Sequence, residues 1–295
     1  MRTFHHAFRH NDFAVSAEIY LRPETDADAL RQQADILRDS VDGILLTDNQ
    51  YGQVHLSTLA AASILLAMGV DPIVQLASRS RNRTALVSDL LGAAALGVTS
   101  LLLAAGERPP KGVQPRPKPV LDLTAIELVR TAKTVCADER LPQRPNFLIG
   151  APVTAVSPGP RWRPAKLKEK IDAGAQFVQT HLSMDVELLR NYLRRLVGDR
   201  LIHKTGVIVS LAVLESADDA RWLVENRPNV RIPDAVVKRL ERAADPAAEG
   251  IAVCAEIIGE LRETPGVRGV SIMATRHLAC IPRALSAAGL QLATE

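Results

Sequence analysis

Aromatic side chains are scarce: five Phe, three Tyr and two Trp make up 3% of 295 residues. That excludes a core built on stacked rings, so Leu, Ile, Val and Ala must fill the interior. Hydrophobic residues at 47% are enough to do so, and this composition suits a barrel layered with branched aliphatics. Cysteine is scarce too. Cys136, Cys254 and Cys280 form no CxxC pair and no zinc-ligand spacing, and their number is odd. A reduced, cytoplasmic chain without a structural metal is the simple expectation. Charge of one sign is lacking, since 36 basic residues face 33 acidic ones for a net +3. Nucleic acid is therefore not an expected partner, whereas a small anionic molecule is compatible. No apolar run is long enough for a membrane span, and the opening MRTFHHAFRHNDF has no apolar signal-peptide core. His5, His6 and His10 are expected in a solvated, poorly ordered arm over residues 1–12, not in a metal site.

Alternation of short apolar runs with longer amphipathic ones organises the rest. Strands are expected at Phe13 to Tyr20, Gly43 to Asp48, Pro72 to Ser78, Ser100 to Gly106, Phe147 to Thr154, Phe177 to Ser183, Gly206 to Leu214 and Gly269 to Thr275. A helical pattern follows each, the last over Arg276 to Ala288. Two further helical stretches, Asp234 to Ala243 and Ala247 to Glu263, precede the final strand. A proline-rich connection, Glu107 to Pro119, continues neither neighbour, because proline fixes φ and lacks an amide donor. Repeated βα units imply parallel strands with right-handed crossovers. The expected fold is thus α/β: one (β/α)8 TIM barrel over residues 1–295 with a helical insertion before the last strand. An open doubly wound sheet is the alternative, but no GxGxxG follows the first strand and no P-loop occurs.

In such a barrel chemistry gathers where strands end and βα loops begin. The polar residues there are Glu18, Thr47, Asp48, Gln75, Glu107, Gln179, Thr180, His181, Thr275 and Arg276. Glu18 stands in an otherwise apolar strand, where a carboxylate is costly without a partner. It reads equally as a general acid or as half of a structural ion pair. Gln179 can read the edge of a heterocycle or be a satisfied core amide. His181 shares its side-chain parity with Gln179, and a satisfied histidine is the bland reading. Arg276 offers a planar fork for a carboxylate, or a surface ion pair. Glu107 heads the proline-rich loop, with Arg108 and Lys111 near enough to meet an anion; a solvated charged loop is the plain alternative.

Taken in order, VSAEIYLRP, LLLAAGERPPKG, KLKEKIDAGAQFVQTH, NVRIPD and SIMATRH resemble segments of the methylenetetrahydrofolate reductase family. The resemblance covers nearly the whole chain, and it implies the same barrel. It implies reduction of 5,10-methylenetetrahydrofolate to 5-methyltetrahydrofolate by NADH or NADPH, a step of one-carbon metabolism toward methionine biosynthesis. Glu18 would be the general acid, Gln179 would hold the pterin, and Arg276 would lie near the aminobenzoyl-glutamate. Glu107 and His181 would border the folate. Thr47, Asp48, Gln75, Lys168 and Lys170 fall at cofactor positions.

The flavin positions depart from the family pattern. Ala105-Gly106-Glu107 stands where an arginine precedes Gly-Asp, Gln75 stands where the family has histidine, and Lys168-Glu169-Lys170 replaces Lys-Arg-Lys. Glu169 would repel a pyrophosphate. The expectation is therefore weak or no FAD binding, with hydride passing directly to the folate iminium. A non-redox folate-dependent methyl or one-carbon transferase and a silent folate-binding protein are the competing functions. The sequence does not distinguish NADH from NADPH, and a homo-oligomer is compatible with it.

Overall fold

The computed structural model describes residues 3–10, 12–109 and 112–290. Eight strands follow in order: β1 (Ala14–Ile19), β2 (Gly43–Leu46), β3 (Pro72–Ala77), β4 (Ser100–Ala104), β5 (Leu148–Val153), β6 (Phe177–Thr180), β7 (Gly206–Val213) and β8 (Val267–Ala274). Each pairs in parallel with its sequence neighbour, and β8 closes on β1. This is the expected closed (β/α)8 barrel. The helices are α1 (Phe4–Arg9), α2 (Ala27–Leu37), α3 (Thr58–Ala67), α4 (Arg83–Leu96), α5 (Ala125–Ala137), α6 (Ala165–Ala173), α7 (Val186–Gly198), α8 (Ala217–Asn226), α9 (Asp234–Arg242), α10 (Pro246–Arg262) and α11 (Cys280–Ala287). Three of them, α8 to α10, lie between β7 and β8, so the insertion before the last strand is present. Among the described residues no helix is long and apolar enough to cross a membrane.

Local chemistry sets the helix starts. Asp26, Asn82, Asp185 and Asp245 each accept the backbone N–H three residues on, satisfying a donor that the helix itself leaves orphaned. Thr124 and Glu127 form a reciprocal capping box at α5. One expected boundary moves: the closing helix begins at Cys280, not Arg276. Thr275, Arg276 and His277 instead tie the end of β8 to Asp219 and Glu215, which spends their polar groups on a loop.

Strand side chains alternate between the two faces of the barrel wall. Ile44, Leu46, Val74, Leu76, Leu101 and Leu103 belong to the large core against the helices. Leu45, Ile73, Leu102, Leu148, Phe177 and Ile208 form a second cluster inside the barrel. This inner layer admits one large ring because of a glycine: a Cβ on Gly150 would sit 2.1 Å from the Phe177 ring. Counting upward by two from the inner layer reaches Thr47, Gln75, Gln179 and Ser210. Period-two alternation thus places the polar residues inside, above the apolar floor.

The expected solvated arm is instead a plug. Phe4, Ala7 and Phe8 of α1 are buried and belong to the inner cluster. Phe4 and Phe8, one turn apart, share a face and meet Phe177 at 5.6 and 5.8 Å. Asp71 accepts the Phe4 N–H at 2.9 Å, and Arg268 stacks on Phe8 at 5.2 Å. The physical reason is the open lower end of the barrel, whose apolar floor needs cover that a solvated arm would not give. Among the described residues no cluster of His, Cys, Asp or Glu is arranged to hold a metal.

Candidate active site

The C-terminal ends of the strands open into an inner cavity of about 350 Å³. Glu18 enters it from β1. Its carboxylate accepts from Gln50 Nε2 at 2.8 Å, and Arg227 Nη2 lies 3.6 Å away. Gln50 is in turn held by Thr47, 3.2 Å from its Oε1. Arg227 stands at the C-terminal end of α8 and brings the guanidinium across the mouth. It contacts Met273 Sδ at 3.0 Å and lies 4.9 Å from the Tyr51 ring. Among the described lining residues Arg227 is the only Arg or Lys in this cavity. Both readings of Glu18 therefore meet at one carboxylate, which has an ionic partner and faces the cavity.

Across from Glu18 stands Glu107. Burial pushes its carboxyl above the usual range; Arg227 and the Tyr51 N–H pull it back, and the Glu18 charge raises it again. Tyr51 has φ 58°, in the left-handed region, which is strained for a side chain of this size. It lies in the short 3-10 turn Gln50–Gly52 after β2, and burial pushes its hydroxyl up to about 12.

Gln179 is buried on β6 and donates to Ser210 Oγ on β7 at 3.0 Å. Its Oε1 has no hydrogen-bond partner among the described residues. His181 lines the same cavity; burial, then the charges of Lys170 and Arg227, push its imidazole down toward the neutral form. Gln75 also lines it, and its side chain has no hydrogen-bond partner among the described residues. Glu18, Thr47, Asp48, Gln75, Glu107, Gln179 and His181 are thus brought together.

Asp48 and several other expected residues have structural partners of their own. Asp48 accepts from Ala77 N at 2.8 Å and pairs with Arg81, so its carboxylate braces the ends of β2 and β3. Lys168 pairs with Asp172 on the exposed side of α6 and lines neither mouth cavity. Lys170 gives its ammonium to the Pro152 carbonyl, where burial, then the Lys166 charge, lowers it. Arg276 is exposed and forks onto Asp219 at 2.9 and 3.1 Å. It lines an outer chamber of about 940 Å³, not the inner cavity. Lys111 lies outside the described residues.

Sequence reasoning missed Gln50, Tyr51, Ser210 and Arg227. Ser210 had a usable signal, since it is the one polar residue within β7. Arg227 had none of its own: it precedes the NVRIPD segment in a loop whose path across the mouth is a tertiary outcome.

A solved structure from Clostridium thermocellum, an uncharacterized protein that binds two copies of 5-methyl-5,6,7,8-tetrahydrofolic acid, superposes with a TM-score of 0.65. The identity is 12%, and 97% of each chain is covered. A 2,3-dimethylmalate lyase of the PEP mutase/isocitrate lyase superfamily superposes at 0.51 with 15% identity, over 92% of this chain and 80% of that one. At these identities the likeness is one of fold. No curated protein matches the chain. The sequence profile of methylenetetrahydrofolate reductase, however, matches residues 3–289. With barrel, cavity and profile in agreement, the chain belongs to the methylenetetrahydrofolate reductase family.

Proposed function

We propose that this protein reduces the methylene bridge of 5,10-methylenetetrahydrofolate to a methyl group with hydride from NADH or NADPH, without a bound flavin. The observation that carries this reading is the convergence of Glu18 and Gln179 in one cavity at the barrel mouth. Support for the ligand class comes from the Clostridium thermocellum structure, whose fold is shared and which binds a methylated folate.

The residues at the family's flavin positions do not fit that group. Lys168 and Lys170, the two cations expected against a pyrophosphate, are spent on Asp172 and on a backbone carbonyl. Asp48 is spent on Arg81. In the proposed reaction hydride therefore reaches the folate without a flavin.

In the proposed chemistry Gln179 orients the pterin through its free carbonyl, with Ser210 fixing the amide's orientation. Glu18 supplies a proton to N10 as the C–N10 bond breaks, leaving a methylene iminium at N5. Hydride from the dihydronicotinamide adds to that carbon. The products are 5-methyltetrahydrofolate and the oxidised dinucleotide, with one proton taken up. Gln50 and Arg227 keep the Glu18 carboxylate aimed into the cavity between turnovers. Direct transfer requires both ligands to be bound at once, with reacting atoms about 3–3.5 Å apart.

The test combines an absorbance spectrum of the purified protein with an assay of NAD(P)H oxidation dependent on methylenetetrahydrofolate. The expectation is turnover without flavin bands. Stoichiometric flavin overturns the direct-transfer reading. Folate binding with no NAD(P)H consumption overturns the reductase reading in favour of non-redox transfer or silent binding.

A further inference from the structure

Glu18, Gln50, Glu107 and Met273 line both the inner cavity and the outer chamber, so the two spaces adjoin along those side chains. The outer chamber is the larger, at about 940 Å³ against about 350 Å³. Both fall in the size range of small-molecule sites, roughly 300–1,000 Å³.

What distinguishes the outer chamber is its aromatic wall. The chain has three Tyr and two Trp, and Tyr20, Tyr51 and Trp222 all line this one space. The remaining two, Trp162 and Tyr192, pack on each other elsewhere. Tyr51 is the centre of the wall. Tyr20 meets it edge-on at 5.3 Å, Trp222 at 6.0 Å, and Arg227 lies 4.9 Å from its ring. Trp222 nevertheless stays 50% exposed. A large ring left half in water beside a chamber, in a chain so poor in rings, points to a stacking surface for a planar ligand.

Charges in the chamber narrow the ligand. Arg276, the residue expected near the folate tail, is paired with Asp219. Arg22 and Arg108 also line it, and neither has an ion-pair partner among the described residues. Arg22 lies over the Tyr20 ring at 5.9 Å, and Glu24 and Glu107 share the lining; guanidinium groups without an ion-pair partner beside an aromatic wall match a nucleotide, whose base stacks and whose phosphates take forked hydrogen bonds.

We infer that the outer chamber is the seat of the nicotinamide dinucleotide, with Tyr51 and Trp222 as the stacking surface and Arg22 and Arg108 at its phosphates. This rests on the direct-transfer reading above, which requires a second ligand beside the folate. The shared wall at Glu18 and Met273 would bring the dihydronicotinamide edge against the pterin. The strained Tyr51 backbone then has a use, since it turns the ring into the chamber.

The experiment follows tryptophan fluorescence of the full chain while NADH, NADPH or 5-methyltetrahydrofolate is titrated in. Dihydronicotinamide absorbs where tryptophan emits, so bound NADH or NADPH accepts energy from Trp222. The expected result is saturable quenching with sensitised dinucleotide emission, most of it lost in W222F. W222A and Y51A should weaken dinucleotide binding roughly tenfold and leave folate affinity within about twofold. If W222A weakens folate and spares the dinucleotide, the chamber belongs to the folate tail and the inference fails. If no dinucleotide quenching occurs while the protein oxidises NADH, the inference also fails and the reductase reading stands. If quenching through Trp222 occurs without turnover, the site stands and the reductase reading fails.

Discussion

Arg227 Nη2 lies 3.6 Å from Glu18 Oε1, and both side chains are only 13% exposed. The pair joins the end of α8 to β1 across the barrel mouth. Its geometry is loose for an ion pair, and Gln50 supplies the closer contact at 2.8 Å. A half-committed carboxylate of this kind can leave its partner when a ligand arrives. We expect E18Q to lower kcat by about 10²–10⁴-fold while 5-methyltetrahydrofolate binds within a few-fold of wild type. Full turnover in E18Q would show that another group protonates N10.

The Gln179 amide donates one hydrogen bond to Ser210, and its carbonyl is the group proposed to orient the pterin. Q179L removes that acceptor with little change of volume. The expected cost is about 1.4 kcal/mol, a tenfold rise in the folate dissociation constant. NADH or NADPH affinity should not move. Isothermal titration of each ligand separates the two effects.

Asp71 holds the N-terminal plug by accepting the Phe4 N–H, yet burial pushes its carboxyl up to about 7. The hydrogen bonds from Phe4 and Thr99 lower it, and Asp42 raises it further. A folded value above the unfolded 3.8 means that stability is fully present below about pH 4 and is lost as pH rises through 7. Between pH 5 and pH 8 this group alone should cost roughly 3 kcal/mol. D71N keeps an acceptor and cannot ionise. Denaturant unfolding at the two pH values should show D71N gaining on wild type at pH 8; an unchanged difference would contradict the assignment.

Phe4 and Phe8 close the floor of the barrel far from the mouth. F4A should destabilise by about 3–5 kcal/mol through transfer and cavity terms, with KM for folate unchanged in the surviving folded fraction. Equilibrium unfolding beside steady-state kinetics checks this. A large KM change would mean that floor and mouth are coupled.

Much of the fold was legible because each strand is a short apolar run, several with a polar residue at or near the end. Glu18, Gln75 and Gln179 were visible as polar residues on such runs, and period two told which side they share. The plug was not legible. Six residues, FHHAFR, are too few for periodicity to mark a helix, and only the closed barrel creates the apolar floor they cover. Arg227 and Tyr51 were hidden for a related reason. Both lie in connections, where side-chain direction depends on how the finished barrel brings loops together. Lys168 lies outside both mouth cavities, because spacing on α6 does not say which face turns to the mouth; it pairs with Asp172 one turn on along the same exposed face.

In the proposed reaction hydride passes in one step from dinucleotide to folate at the Glu18 and Gln179 site. Its most direct test uses NADH deuterated at the transferable C4 position with methylenetetrahydrofolate, followed by mass spectrometry of the product. One deuterium should be retained in the new methyl group, at full incorporation, with flavin-free protein. A methyl group whose deuterium has been lost to water, or no methyl product at all, would contradict it.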